Sequence, residues 1–376
     1  MIKHYRDLLS DATRINQFRA AISQLIKPDS VVVEIGSALG TYAFFCAQAG
    51  AKRIYAIEMS DIFFVGKELA RLNQLADKIT FIHGKSTEID LPERADFIIM
   101  EDYSPFFLYA GLEQVICDAQ RRFLKPDGTF IPAQIILKYA LVEYPAFHQQ
   151  LDCWVKKNDR LYGLDWSYTT ELTFNQTYFA DESPKRLLTD AITIKSIDLA
   201  HDANFTFNSL TKIKITNSGT VHGIIGWWDC FFTSQQFFSN APNSSENTWG
   251  QLFFPLRYPI TVQTGDEVEI NLMALESLRS QTIDYKWVVN HQYAEQEGNT
   301  FRGTYLDLKR LTRFTQDAEL QLNKKGKIVS FLLSKCTQPI NWQNLARELS
   351  RGFPAEFPDE VSALQVLPTL LKDFIR

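Results

Sequence analysis

Between residues 30 and 140 the chain alternates short apolar runs with helix-like segments, and this order restricts its fold more than any other feature. The runs VVVEI, RIYAIE, KITFIHG and ADFIIMED are interleaved with TYAFFCAQAG and FFVGKELARLNQLA and followed by GLEQVICDAQRRFL. Strands that are apolar throughout must be covered on both faces, and a helix between successive strands is the connection that lets them run parallel. The expectation is an α/β fold with a doubly wound parallel sheet, preceded by a helical N-terminal segment.

From about residue 133 to 295 the pattern changes to successive strands, among them IILKYALVEY, AITIKSIDL, KIKITNSG, VHGIIGWWDCFF and EVEINLMAL, punctuated by Asn, Ser, Gly and Pro. That spacing predicts a β-barrel or sandwich. The region from Asp317 to Arg376 holds GKIVSFLLSK, an INWQNLARELS helix, a Pro-rich turn and a closing EVSALQVLPTLLKDFI helix, an order that suits a small winged-helix domain. At 376 residues the chain exceeds one comfortable hydrophobic core, so three domains are expected, at 1–132, 133–300 and 301–376.

The first strand ends at Ile35 and gives way to Gly36-Ser-Ala-Leu-Gly40 before a helix, a turn in which backbone amides approach a ligand closely. A nucleotide is the usual occupant. The dinucleotide fingerprint G-x-G-x-x-G fits poorly, and the residues read as a variant of the E/D-x-G-x-G-x-G pattern of class I methyltransferases. Glu34 precedes the turn, and Glu58 closes the next strand, where a carboxylate accepts hydrogen bonds from both ribose hydroxyls. S-adenosylmethionine and NAD both satisfy that requirement.

Over residues 1 to 295 the order of motifs resembles the protein arginine methyltransferases. LLSDATRINQFRAAI looks like the family's N-terminal helix, in which an arginine, here Arg14, binds the methionine carboxylate of S-adenosylmethionine. VVVEIGSALG, AGAKRIYAIE, GKSTEIDLP, ADFIIMEDY, RRFLKPDGTFIP and the barrel segments LYGLD, VHGIIGWWDCFF and NTWGQLFFPL follow in the family's order. The resemblance implies a Rossmann-like domain followed by a β-barrel, with a cofactor site at Arg14, Glu34, Gly36, Gly40, Glu58 and Glu88. It also implies a head-to-tail homodimer whose arm, AFHQQLDCWVKKNDRLYGLDW, offers Trp154, Leu161, Tyr162 and Trp166.

The family holds its substrate guanidinium between two glutamates on one loop, because a planar fork of donors is oriented best by paired carboxylates. In MEDYSPFFLYAGLEQV the first maps to Glu101, but the second position is Ala110. The family's supporting threonine-histidine-tryptophan loop reads Asn247-Thr248-Trp249, a turn glycine is replaced by Ala38, and Thr87 stands where an adenine-contacting acid is usual, with Glu88 beside it. Glu113, Asp102 and Asp229 are candidates for the missing carboxylate, and Tyr103, Thr248 and Trp249 are expected to line the acceptor side.

These readings point to an S-adenosylmethionine-dependent N-methyltransferase acting on arginine in a peptide or protein. The alternatives are a small-molecule acceptor or a binding module that keeps the fold without catalysis. The C-terminal region loosely resembles PqqD-like elements that hold leader peptides. A net charge of −5 argues against nucleic-acid binding through bulk electrostatics. No run of about 18 uncharged apolar residues marks a membrane span, and no signal-peptide pattern follows Met1, so a cytoplasmic protein is expected. Five scattered cysteines and six histidines form no metal-ligand spacing, and no nucleophile elbow is present.

Overall fold

A computed structural model describes residues 2–152, 155–156, 159–180, 185–242, 244, 249–277, 282–292, 294–305, 319, 321–372 and 374. It divides into two compact units, residues 1–305 and 306–376. In the first, helices α1 (Ile2–Ser10) and α2 (Ala12–Leu25) precede strand β1 (Val31–Ile35), and α3 (Thr41–Gln48), β2 (Arg53–Glu58), α4 (Ile62–Leu72) and β3 (Ile79–His83) follow. Strands β4 (Ala95–Met100) and β5 (Leu124–Ile131) flank helix α5 (Leu112–Arg122) and complete a five-stranded parallel sheet in the order β3-β2-β1-β4-β5. All five residues of β1 are buried, as its unbroken apolar run requires of a central strand covered on both faces.

Strand β6 (Gln134–Glu143) then opens a seven-stranded antiparallel sheet, in which it pairs with strand Gly219–Phe231. A second antiparallel sheet has four strands, Phe207–Lys214, Glu267–Ser277, Thr282–His291 and Ala294–Asn299. Phe207–Lys214 alternates buried or half-buried with exposed positions, the period of a strand with one face on a core.

The boundary expected at 132/133 does not separate two cores. One buried cluster runs from Phe18 and Val32 through Phe106 to Trp228 and Trp287. Phe18 packs edge-on to Phe232 with ring centroids 4.8 Å apart, and Phe106 meets Phe207, Phe254 and Tyr285 at 5.9, 5.7 and 6.2 Å. The Phe106 ring lies so close to the barrel backbone that a Cβ at Gly226 would stand 2.7 Å from it, which reserves that position for glycine.

The second unit has helices Lys324–Lys335, Trp342–Gly352 and Glu360–Leu371, each opened by a side-chain cap, from Asn323, Asn341 and Asp359. Ile328, Leu332, Leu345, Leu349, Leu367 and Leu371 form its core. These helices are consistent with the helical part of a winged-helix unit, and among its described residues no strand forms a wing. No helix among the described residues is long and apolar enough to cross a membrane.

Candidate active site

A cleft opens where the carboxyl ends of β1 and β4 meet α1, α2 and the glycine turn, and Tyr5, Leu8, Arg14, Ser37, Tyr42 and Glu101 are among its walls. This is the end of a parallel sheet at which ligands bind. The turn holds three consecutive left-handed elements at alternate positions, Gly36 at φ +72°, Ala38 at +47° and Gly40 at +80°. A Cβ added to Gly36 would meet nothing within 4 Å, so that glycine keeps the backbone open toward the cleft.

Carboxylates fix this turn from below. Glu34, buried in β1, accepts the Ala43 amide at 2.8 Å, and burial pushes its acid up to about 8 against the pull of the Ala43 and Tyr42 amides. Glu58 accepts the Ala38 amide at 2.9 Å and both the amide and hydroxyl of Ser60 at 2.7 Å, which ties the end of β2 to the turn.

Above the turn, Asp11 caps α2 by accepting the Arg14 amide at 2.9 Å, and the cap sends the Arg14 side chain inward. Arg14 is only 2% exposed. Its guanidinium donates to Glu101 at 3.1 Å and to the Leu8 carbonyl, and it lies 5.3 Å from the centroid of the Trp249 ring. The Tyr42 hydroxyl donates to the other oxygen of Glu101 at 2.9 Å. Burial raises Glu101 to about 7, opposed by the Arg14 charge and by the Tyr42 and Arg14 hydrogen bonds. Two buried polar atoms of the walls, Arg14 Nε and Ser37 Oγ, have no hydrogen-bond partner in the protein. An unpaired buried donor costs about 1–3 kcal/mol, so the cleft suits a ligand that brings acceptors.

Arg14, Glu34, Gly36, Gly40, Glu58 and Glu101 are therefore brought together, but other expected residues are not. Glu88 ends a short 3-10 turn, with its side chain exposed and 3.4 Å from Lys85, away from the cleft walls. Glu113 points to the barrel, where it accepts the Phe205 amide at 2.8 Å. Gly111, at φ +84°, turns the chain into α5 so that this first-turn acid leaves the clamp loop. Asp229 is buried, with Lys138 at 2.6 Å and the Ser239 hydroxyl at 2.6 Å, and its charge is thereby committed within the barrel. The Tyr103 side chain is buried with its hydroxyl on the Met100 carbonyl, so it faces the core, while its own carbonyl accepts the Trp249 indole at 3.2 Å. Asp102 is exposed beside Glu101. Thr248 lies outside the described residues.

Sequence reasoning missed Tyr42, whose hydroxyl is hidden in an apolar helix face, and Asn240. The Asn240 side chain, fully buried, accepts the Trp228 amide at 2.8 Å and donates to the Pro105 carbonyl at 2.9 Å and the Gly250 carbonyl at 2.6 Å. It joins the loop after Glu101, the loop of Trp249 and a barrel strand. An asparagine within FFSNAPNSS carries no periodic signal that would have found it.

The parallel order 3-2-1-4-5, with an acidic strand end and a glycine turn under a buried arginine, defines a class I methyltransferase domain joined to an antiparallel barrel. The family model "arginine methyltransferase oligomerization subdomain" matches residues 134–293, and the model "TRM5/TYW2 methyltransferase domain" matches residues 10–115. Protein arginine N-methyltransferase 1 of Schizosaccharomyces pombe is 29% identical over 273 residues, 70% of this chain and 79% of that protein. The probable protein arginine N-methyltransferase 6 of Arabidopsis thaliana is 31% identical over 261 residues, 65% of this chain and 57% of that protein. Among solved structures, the Trypanosoma brucei PRMT1 enzyme–prozyme heterotetrameric complex with AdoHcy superposes with a TM-score of 0.71 at 23% identity, over 78% of this chain and 97% of that one. These similarities support a class I methyltransferase of the protein arginine methyltransferase type.

Proposed function

We propose that this chain transfers a methyl group from S-adenosylmethionine to a guanidine nitrogen of arginine in a peptide or protein. The observation that carries the reading is the buried cluster of Arg14, Glu101 and Tyr42 above the glycine turn, with Arg14 Nε and Ser37 Oγ left without protein partners. Those donors fit the carboxylate of the cofactor's methionine portion, and Glu58, already fastened to the Ala38 amide, fits the ribose hydroxyls. When bound, S-adenosylmethionine supplies an electrophilic methyl group on a sulfonium sulfur. Glu101 orients the acceptor guanidinium, and the positive charge of that group favours the ionised carboxylate at a site that otherwise raises it to about 7.

The reading extends to assembly. The barrel matches an oligomerization subdomain, and the arm segment exposes Tyr162 and Leu164, with Tyr168 exposed just after it, apolar surface that suits a homodimer. Trp154 and the Leu161 side chain of that arm lie outside the described residues. Free thiols at Cys46, Cys117, Cys230 and Cys336 fit a reducing, cytoplasmic setting.

Calorimetry with S-adenosylhomocysteine and with NAD, followed by transfer of labelled methyl to an arginine peptide, tests the reading. Micromolar binding of the first and none of the second is expected, and Glu101→Gln should cut turnover by at least about 100-fold while the cofactor product still binds. No heat with S-adenosylhomocysteine at millimolar concentration would overturn it.

A further inference from the structure

We propose that Glu276 supplies the second acceptor-binding carboxylate, the one whose place on the clamp loop is taken by Ala110. The inference rests on the function proposed above. A guanidinium presents donors along two edges of a plane, and one carboxylate grips one edge only. Glu101 provides that one, and two of the acids that could have provided the other are engaged elsewhere, Glu113 by the Phe205 amide and Asp229 by Lys138.

Glu276 comes from a part of the chain that no spacing argument connects to this loop. It is the penultimate residue of strand Glu267–Ser277, and its Oε1 accepts the Gly111 amide at 3.0 Å, across 165 positions of sequence. The Gly111 amide is the peptide group that leaves Ala110. The Glu276 carboxylate therefore sits one peptide unit from the Cα that would carry the missing glutamate, within the reach of such a side chain.

Its strand is held firmly against the loop. Glu276 pairs with Ile283 in register, and two positions on Tyr285 packs against Phe106 of the same clamp loop, centroids 6.2 Å apart. The carboxylate is exposed, and among the described residues it meets no cation and its Oε2 takes no hydrogen bond. Gly111 is also the N-cap residue of α5, so the bond to its amide by itself requires only an acceptor oxygen. A negative charge whose second oxygen has no partner among the described residues is what an acceptor cation needs in addition.

The isosteric variant separates these roles, because Glu276→Gln keeps an oxygen for the Gly111 amide and removes the charge. The assay measures methyl transfer to a synthetic peptide with one arginine between glycines, together with S-adenosylhomocysteine affinity and the melting temperature. Glu276→Gln is expected to raise the peptide KM at least about tenfold, to leave S-adenosylhomocysteine affinity and melting unchanged, and to lower kcat by less. In the Glu276→Ala background, Ala110→Glu should return transfer, since the carboxylate is then offered from the loop itself. Wild-type kinetics in Glu276→Gln, or a double variant no better than Glu276→Ala, overturns the inference and leaves the proposed function standing. A wild-type protein that binds S-adenosylhomocysteine yet transfers nothing to the peptide overturns the function reading, and Glu276's role with it.

Discussion

Asn240 offers the sharpest test of how the barrel positions the clamp loop. Replacing it by Leu keeps most of its volume while the Trp228 amide and the Pro105 and Gly250 carbonyls lose partners now at 2.8, 2.9 and 2.6 Å. A buried group deprived of its partner costs about 1–3 kcal/mol, and three such groups with some relaxation of the two loops give a loss of about 3–6 kcal/mol. Against a typical total of about 5–15 kcal/mol, that would leave the protein marginally folded, so a second variant is needed. Asn240→Asp keeps shape and the bond from Trp228, and burial holds its acid neutral so that it can still donate to one of the two carbonyls, and it should cost less than Asn240→Leu. Urea denaturation gives the stability, and methyl transfer to an arginine peptide with calorimetry for S-adenosylhomocysteine gives the function. For Asn240→Asp a fall in kcat of at least tenfold with little change in cofactor affinity is expected, because Pro105 lies between Glu101 and Ala110, whereas the glycine turn is untouched. An Asn240→Leu protein with wild-type unfolding midpoint and wild-type turnover would refute the reasoning.

Two further outcomes follow from the turn. Glu34 is raised from 4.5 to about 8 in the fold, so the folded chain retains a proton that the unfolded chain releases, and its contribution to stability is complete below about pH 4.5 and lost as pH rises through 8. Glu34→Gln should therefore flatten the decline of the urea midpoint between pH 5 and 8, by at most about 1.4 kcal/mol per pH unit, with the slope due to Glu101 remaining; an unchanged profile would show that Glu34 is ionised in the fold. Ala38→Gly relieves a left-handed alanine at φ +47° and should shift stability upward by up to about 1 kcal/mol with the Glu58 bond intact, and a loss of more than about 1 kcal/mol in thermal unfolding would contradict that account.

The parallel sheet was legible because its strands are buried on both faces and bounded by turn chemistry, so VVVEI and ADFIIM announced themselves without knowledge of their neighbours. The juxtaposition of the residues proposed to hold the cofactor was equally legible, since Glu34, Gly36, Gly40 and Glu58 lie within one strand-turn-helix-strand unit. The acceptor side was not. On the roles proposed above it depends on contacts such as Asn240 with Pro105 and Glu276 with Gly111, separated by 135 and 165 positions; Asn240 lies in no periodic pattern, and Glu276 is a charged residue at the end of the buried alternation Val268, Ile270, Leu272 and Ala274. Glu113 misled for a local reason: a spacing of three residues from Ala110 implies a shared helical face only if both lie on the helix, and α5 begins after Gly111. Tyr103 misled because a loop position was read as a side-chain position, while the fold uses its carbonyl and buries its ring.

The barrel holds the clamp loop by its main chain. The indoles of Trp249 and Trp228 donate to the carbonyls of Tyr103 and Ser104, at 3.2 and 3.0 Å, and Asn240 takes that of Pro105. Three consecutive carbonyls are thus anchored whatever side chains the loop bears. With Phe106 packed in the barrel as well, the path of the loop does not depend on the side chain at position 110, so on the role proposed for Glu276 a carboxylate can leave that position and another can serve the same space from a different strand. An acceptor site built this way can be rewritten one residue at a time while the cofactor site stays fixed.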